Sequence, residues 1–236
     1  GRVLAQILDT ELIRLQCYEG IDVSTAVYEW DYPRQMLEIR LLEARGEART
    51  AATKDIFSEE FLIRRPLLQA LESRGGEPPV LLIDEVDRAD EEFEAFLLEV
   101  LSDFAVSIPE IGTIRAERPP RVILTSNRTR EVHDALKRRC LYHWIDYPAR
   151  EREAEILRVR APGVDAAIAA RVCDAVARLR ATELYKLPGV GETIAWARAL
   201  AALGEEGDDL DATLGVALKV REDLERVRAE GVLEGV

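Results

Sequence analysis

Val80-Leu81-Leu82-Ile83-Asp84-Glu85-Val86-Asp87 decides how this chain is read. Four apolar residues, all branched at Cβ or Cγ and of strand-compatible size, run straight into two adjacent carboxylates. A short, continuous apolar run predicts a strand buried on both faces, as in a parallel sheet. The carboxylates then stand at its C-terminal end, where open α/β sheets bind ligands. Asp84 and Glu85 there suit a Mg²⁺ ligand followed by a water-activating base. The plainer alternative is a strand that ends in an acidic, solvated turn.

Working outward, Gly75-Gly76 and Pro78-Pro79 punctuate the chain just before this strand. After it, Phe93, Phe96, Leu97, Val100, Leu101 and Phe104 step as one face of a long amphipathic helix. Ala105 to Ala116 reads as a hairpin turning at Pro109-Glu110-Ile111-Gly112. Arg121 to Ser126 predicts a second buried strand (Val122, Ile123, Leu124) ending in Thr125-Ser126-Asn127. A short helix over Glu131 to Arg139 and a last strand over His143 to Tyr147, stopped by Pro148, follow. Upstream, residues 2–8 have a helical apolar pattern and Glu11 to Cys17 reads as a strand. Tyr18 to Arg34 is aromatic and irregular. Leu37 to Arg45 and Phe57 to Ser73 read as helical, the latter with a break near Pro66. Beyond Pro148 every pattern is helical: Arg150 to Val159, the stripe Val164, Ile168, Val172, Val176 and Leu179, Glu192 to Leu203, and Asp211 to Ala229. A Gly- and acid-rich break at 204–209 precedes the last. The order predicts an α/β domain over residues 1–148 and an all-helical domain over 149–236.

Composition narrows the class. The chain has 236 residues, 47% hydrophobic and 33% charged, with a net charge of −13. That is a globular composition, and its sign argues against a general nucleic-acid surface. No apolar run approaches the roughly 20 residues of a membrane helix. The N-terminus lacks a signal-peptide layout, and the three scattered cysteines, Cys17, Cys140 and Cys173, fit reduced thiols of a cytoplasmic protein. Trp30, Trp144 and Trp196 are expected to serve packing, and His133 and His143 to be structural.

The chemistry lies in an order of features. Asp84 and Glu85 end one strand, and about 40 residues later Asn127 ends another. If the strands are neighbours, the Asn127 amide lies beside the carboxylates and can orient an attacking water. Arg138 and Arg139 then lie where a guanidinium could reach a phosphate held by a neighbouring subunit. Capping or turn-making is the alternative for Asn127, and interaction with a helix C-terminus the alternative for the arginines.

This order resembles the AAA+ ATPases: Walker B, sensor 1, arginine finger, helical lid. Leu82-Ile83-Asp84-Glu85-Val86-Asp87-Arg88-Ala89, Arg14-Leu15-Gln16-Cys17-Tyr18-Glu19-Gly20, Tyr28-Glu29-Trp30-Asp31-Tyr32-Pro33 and Arg138 to Pro148 are similar to the MoxR group, in particular its CoxD-like members. The resemblance implies a three-layer P-loop-type α/β core with a parallel sheet, followed by a small helical lid, and ATP and Mg²⁺ as cofactors. Asp84 would help hold Mg²⁺, Glu85 would polarise water, and Asn127 would be sensor 1. Arg139, or next Arg138, would be the trans-acting finger. It also implies a ring, by family habit a hexamer, a partner with a von Willebrand factor A domain, and a metalloenzyme client such as a molybdenum hydroxylase. Residues 18–73 and the hairpin look like partner-binding insertions. A catalytically silent scaffold and a DNA-linked AAA+ protein are the alternative functions.

The chain departs from that family in two places. No G-x-x-x-x-G-K-[ST] occurs in it. The resemblance places that loop, and the family's first strand, just ahead of Gly1, so the chain is read as a fragment with little or no ATP turnover of its own and with exposed strand edges. In the lid, Pro188-Gly189-Val190-Gly191-Glu192-Thr193 carries no Arg at the sensor 2 position. Arg198 follows inside the helix, and no sensor 2 residue is assigned.

Overall fold

The structure, a computed structural model, describes residues 1–44, 56–73, 76–204 and 210–235. Arg45, Gly75 and the 205–209 part of the predicted break lie outside the described residues. The chain divides into two compact units, Gly1–Tyr142 and His143–Val236.

In the first unit a three-stranded parallel sheet has the order β1 (Leu12–Gln16), β4 (Val80–Asp84), β7 (Arg121–Leu124). The predicted buried strand is the central one. Val80, Leu81 and Ile83 are at most 1% exposed, as expected of a strand covered on both sides. The register pairs Gln16 with Asp84 and Ile83 with Leu124, so both neighbours run out at the same end as the carboxylates. Leu81 and Ile83 share a core with Leu67, Leu68 and Leu71 of helix α4 (Pro66–Glu72) and with Phe93, Leu97 and Val100 of helix α5 (Glu91–Asp103). α5 starts where Asp90 accepts the Phe93 N–H at 2.8 Å, and Glu91, Glu92 and Glu94 in its first turn suit the helix dipole. The predicted hairpin is β5 (Ala105–Ile108) against β6 (Gly112–Arg115). Helix α1 (Arg2–Ile7) precedes β1. This is the expected α/β fold of AAA type, a parallel sheet flanked by helices.

Three local expectations in this unit are corrected. The irregular stretch after Tyr18 contains helix α2 (Val23–Ala26), strand β2 (Tyr28–Trp30) and the start of helix α3 (Tyr32–Ala44). Phe57 to Ser73 is not one broken helix: Leu62–Arg64 forms strand β3, antiparallel to β2. Pro66 starts α4 at its first turn and holds Arg65 extended. The helix predicted over Glu131 to Arg139 shrinks to α6 (Asp134–Lys137), because Arg130 and the His133 N–H are drawn instead to the buried Glu94 carboxylate.

His143 to Tyr147 forms no strand, in spite of its apolar character. It pairs with no other strand among the described residues, and Trp144, Ile145 and Tyr147 are exposed. Extended residues gain ladder hydrogen bonds only beside a neighbour. Trp144 is accordingly no packing residue, and its indole N–H donates to Asp146. Trp30 and Trp196 are buried as expected.

The second unit is helical: α7 (Arg150–Arg160), α8 (Ala166–Ala181), α9 (Val190–Leu203), α10 (Leu210–Thr213) and α11 (Arg221–Ala229). The single helix predicted from Asp211 is split by a tight turn over Leu214–Val216, which lets Leu214 and Leu218 drop into the core beside Trp196 and Leu179. Within this core Arg180 grips Glu153 with two hydrogen bonds, 2.7 and 2.8 Å long. Thr193 of α9 adds a third at 2.6 Å. No helix among the described residues is long and apolar enough to cross a membrane.

Candidate functional site

The strand ends bring three of the five predicted residues together. Asp84 closes β4. Glu85 follows with φ 55° and ψ 49°, a left-handed conformation that side-chain-bearing residues rarely adopt. Asn127 lies three residues past β7, and its amide donates to one Glu85 carboxylate oxygen at 3.2 Å. Neighbouring strands thus place the amide against the second carboxylate, as the sequence anticipates.

Residues that sequence reading passed over complete the arrangement. Gln16, at the end of β1, donates to the other Glu85 oxygen at 3.1 Å, and Arg88 reaches the same oxygen at 3.3 Å. Arg14 pairs with Asp84 through its Nε at 3.0 Å. Thr125 donates its hydroxyl to Asp84 and accepts the Glu85 N–H at 3.0 Å. The register across β1, β4 and β7 reveals the partners Arg14, Gln16 and Thr125. The one signal in the sequence is the place of Gln16 and Thr125 at strand ends. The Thr125 hydroxyl is the main influence on the Asp84 carboxyl, which it holds below the usual carboxylate range, with Arg14 acting the same way. Cys17, next to Gln16 and fully buried, has its thiol pushed up to about 12 by burial and by the surrounding carboxylates, so it stays protonated.

Asp87 is the structural anchor below the site. It is 2% exposed. Its carboxylate accepts the Asn127 N–H at 3.1 Å, the Thr129 N–H at 2.8 Å and the Thr129 hydroxyl at 2.6 Å. These bonds hold the loop after β7 in shape, with Arg128 at φ 57°. Burial alone would raise the Asp87 carboxyl, but the Thr129 and Asn127 donors outweigh it and bring it below its ordinary value. A carboxyl depressed in the folded state adds stability that is present above its unfolded value and lost as pH falls through the folded one. Asp87→Asn should therefore cost about 2 kcal/mol at neutral pH, since hydrogen bonds to a charged acceptor are lost. It should also flatten the fall in stability below about pH 4. Urea unfolding at neutral and acid pH checks both.

Arg138 and Arg139 are not part of this constellation. Arg139 donates to the Leu98 carbonyl and the Ser102 hydroxyl of α5, and Arg138 caps α6 and is exposed. Arg198, in the second unit, donates to the Arg160 carbonyl at 2.6 Å. His133 caps α6, its Nδ1 accepting the Ala135 N–H, as a structural histidine would.

The donor set fits Mg²⁺. Hard carboxylate oxygens suit it, and it is commonly held by one or two carboxylates with water and phosphate oxygens completing the shell. No group of three or more His, Cys, Asp or Glu that could cage a metal occurs among the described residues. Backbone N–H groups of a Gly-rich phosphate loop are not encoded in these 236 residues.

The family model of the AAA domain, dynein-related subfamily, matches residues 2–140. The crystal structure of a candidate ATPase from Cytophaga hutchinsonii is similar, with a TM-score of 0.42 and 14% identity over 96% of this chain and 70% of that one. The complex of subunits BchI and BchD of magnesium chelatase is another, with a TM-score of 0.26 and 18% identity over 92% of this chain and 67% of that one. No curated protein sequence matches the chain. With the family model matching across the first unit and over more than half of the chain, the chain belongs to the dynein-related AAA domain family.

Proposed function

We propose that Asp84, Glu85 and Asn127 form the metal- and water-handling half of an ATP-hydrolysis site in a MoxR-type AAA+ ATPase. The observation that carries the reading is the 3.2 Å hydrogen bond between the Asn127 amide and Glu85, made across two parallel strands at their C-terminal ends. Asp84 would be the carboxylate ligand of Mg²⁺, which when bound neutralises charge on phosphate oxygens. Glu85 orients and polarises the attacking water and takes up its proton. Asn127, Gln16 and Arg88 all donate to Glu85, which keeps its carboxylate aimed. In this reading residues 1–148 are the ATPase core and 149–236 the lid.

The wider reading is a ring-forming, cytoplasmic remodelling ATPase. Arg139, with Arg138 second, would serve a neighbouring subunit's phosphate. A von Willebrand factor A-domain partner and a metalloenzyme client would follow, by the CoxD-like resemblance. The second reading is a catalytically silent scaffold.

ATP hydrolysis by the full-length gene product separates them. Asn127→Ala should lower the Mg²⁺-dependent rate by about 10- to 100-fold, as loss of a hydrogen bond to a charged group would. Its thermal unfolding should stay close to that of the parent. No hydrolysis by the parent favours the scaffold, and an unaltered rate removes Asn127 from the site.

A further inference from the structure

We propose that Thr125 is the positioning residue that locks Asp84 and Glu85 into their working geometry. This rests on the hydrolytic reading of that pair. The β4–β7 ladder ends at Ile83 opposite Leu124, one residue short of the chemistry. Beyond it every hydrogen-bonding group of Thr125 is spent on residues 83–86. Its N–H donates to the Ile83 carbonyl and its carbonyl accepts the Val86 N–H, both at 2.9 Å. Its hydroxyl accepts the Glu85 N–H at 3.0 Å and donates to Asp84 Oδ1.

The two backbone bonds would form with almost any residue at position 125. The two hydroxyl bonds require Thr or Ser. A valine has nearly the same shape, is equally suited to a strand end, and would serve if packing were all the position needed. The hydroxyl contributes two further effects. It fixes one Asp84 oxygen, so that the carboxylate is not turned wholly towards Arg14, its other partner. It also gives the Glu85 N–H an acceptor while Glu85 is held left-handed, a conformation that persists only when its surroundings impose it. Released from that bond, the Glu85 backbone can relax, and its side chain leaves the donors of Asn127 and Gln16. The loss would fall on turnover more than on ATP binding, because Thr125 acts through the two carboxylates.

Two measurements test this. Hydrogen exchange at the Glu85 amide should quicken by about tenfold or more in Thr125→Val and stay near the parent in Thr125→Ser. In the full-length gene product, Thr125→Val should lower kcat by about tenfold or more with little change in KM for ATP, and Thr125→Ser should restore most of it. If Thr125→Val does not fold, Thr125→Ser against Thr125→Ala isolates the hydroxyl in the same way. Unchanged exchange at Glu85, a kcat within about twofold of the parent, or equal losses in Ser and Val, overturns the proposal. Glu85→Gln is run beside them. A Glu85→Gln protein that hydrolyses ATP at the parent rate removes the hydrolytic reading, and the catalytic role of Thr125 with it. Loss in Glu85→Gln with no loss in Thr125→Val removes the Thr125 proposal alone.

Discussion

Glu85→Gln in the full-length gene product should lower Mg²⁺-dependent ATP turnover by about 10²- to 10⁴-fold, the range associated with loss of a positioned general base. Glutamine is nearly isosteric, so the fold and the left-handed backbone at 85 should survive. The chemistry should not. A carboxylate is acceptor-only and can take donors on both oxygens, as it does from Asn127 on one side and from Gln16 and Arg88 on the other. A carboxamide presents an NH₂ to one of those donor groups and no longer takes up a proton. Nucleotide affinity should change little, because the group acts on the attacking water. The measurement is steady-state hydrolysis alongside equilibrium binding of ATP. A variant that keeps the parent rate would show that Glu85 is not the base.

Glu153→Ala should destabilise the second unit by about 3–5 kcal/mol, the usual loss when one partner of a buried ion pair is removed. Glu153 is 1% exposed and joins three helices. From α7 it accepts both Arg180 nitrogens of α8 and the Thr193 hydroxyl of α9. Arg180 also donates to the Pro188 carbonyl and lies 4.5 Å above the Tyr147 ring, so it has little freedom to follow its lost partner into water. Alanine would leave that guanidinium buried without a counter-charge and Thr193 with a bond fewer. Urea denaturation followed by fluorescence in a Trp30→Phe, Trp144→Phe background reads the effect, since Trp196 is then the one indole left and is fully buried in this core. A loss under about 1 kcal/mol would mean that the pair relaxes to water after all.

The sheet and the acid pair were legible because one physical fact governs both. A both-faces-buried strand is a continuous apolar run, and charges can follow only where it leaves the core. Asn127 was legible by the same logic on the neighbouring strand. Thr125, Gln16 and Asp87 were not, because each acts through a partner some 40 to 70 residues away, and only register fixes which residue meets which. Leu62–Arg64 shows the limit on local pattern: three residues carry too little periodicity to tell strand from helix, and pairing with β2 decides. His143 to Tyr147 shows the converse, strand-like residues with no strand beside them.

The period of two along a strand has a consequence for how this protein tolerates length changes. Glu117 to Pro119, ahead of β7, are exposed, and an added residue near Glu117 or Arg118 would be taken up at the surface. An insertion or deletion of one residue within Arg121–Leu124 would instead turn every following side chain to the opposite face. Ser126 or Leu124 would then stand where Thr125 stands, and Asn127 would face away from Glu85. A shift of one position, without any change of composition, would thus dismantle the acid–amide pair and leave a folded protein with its strands in place and its chemistry misaligned.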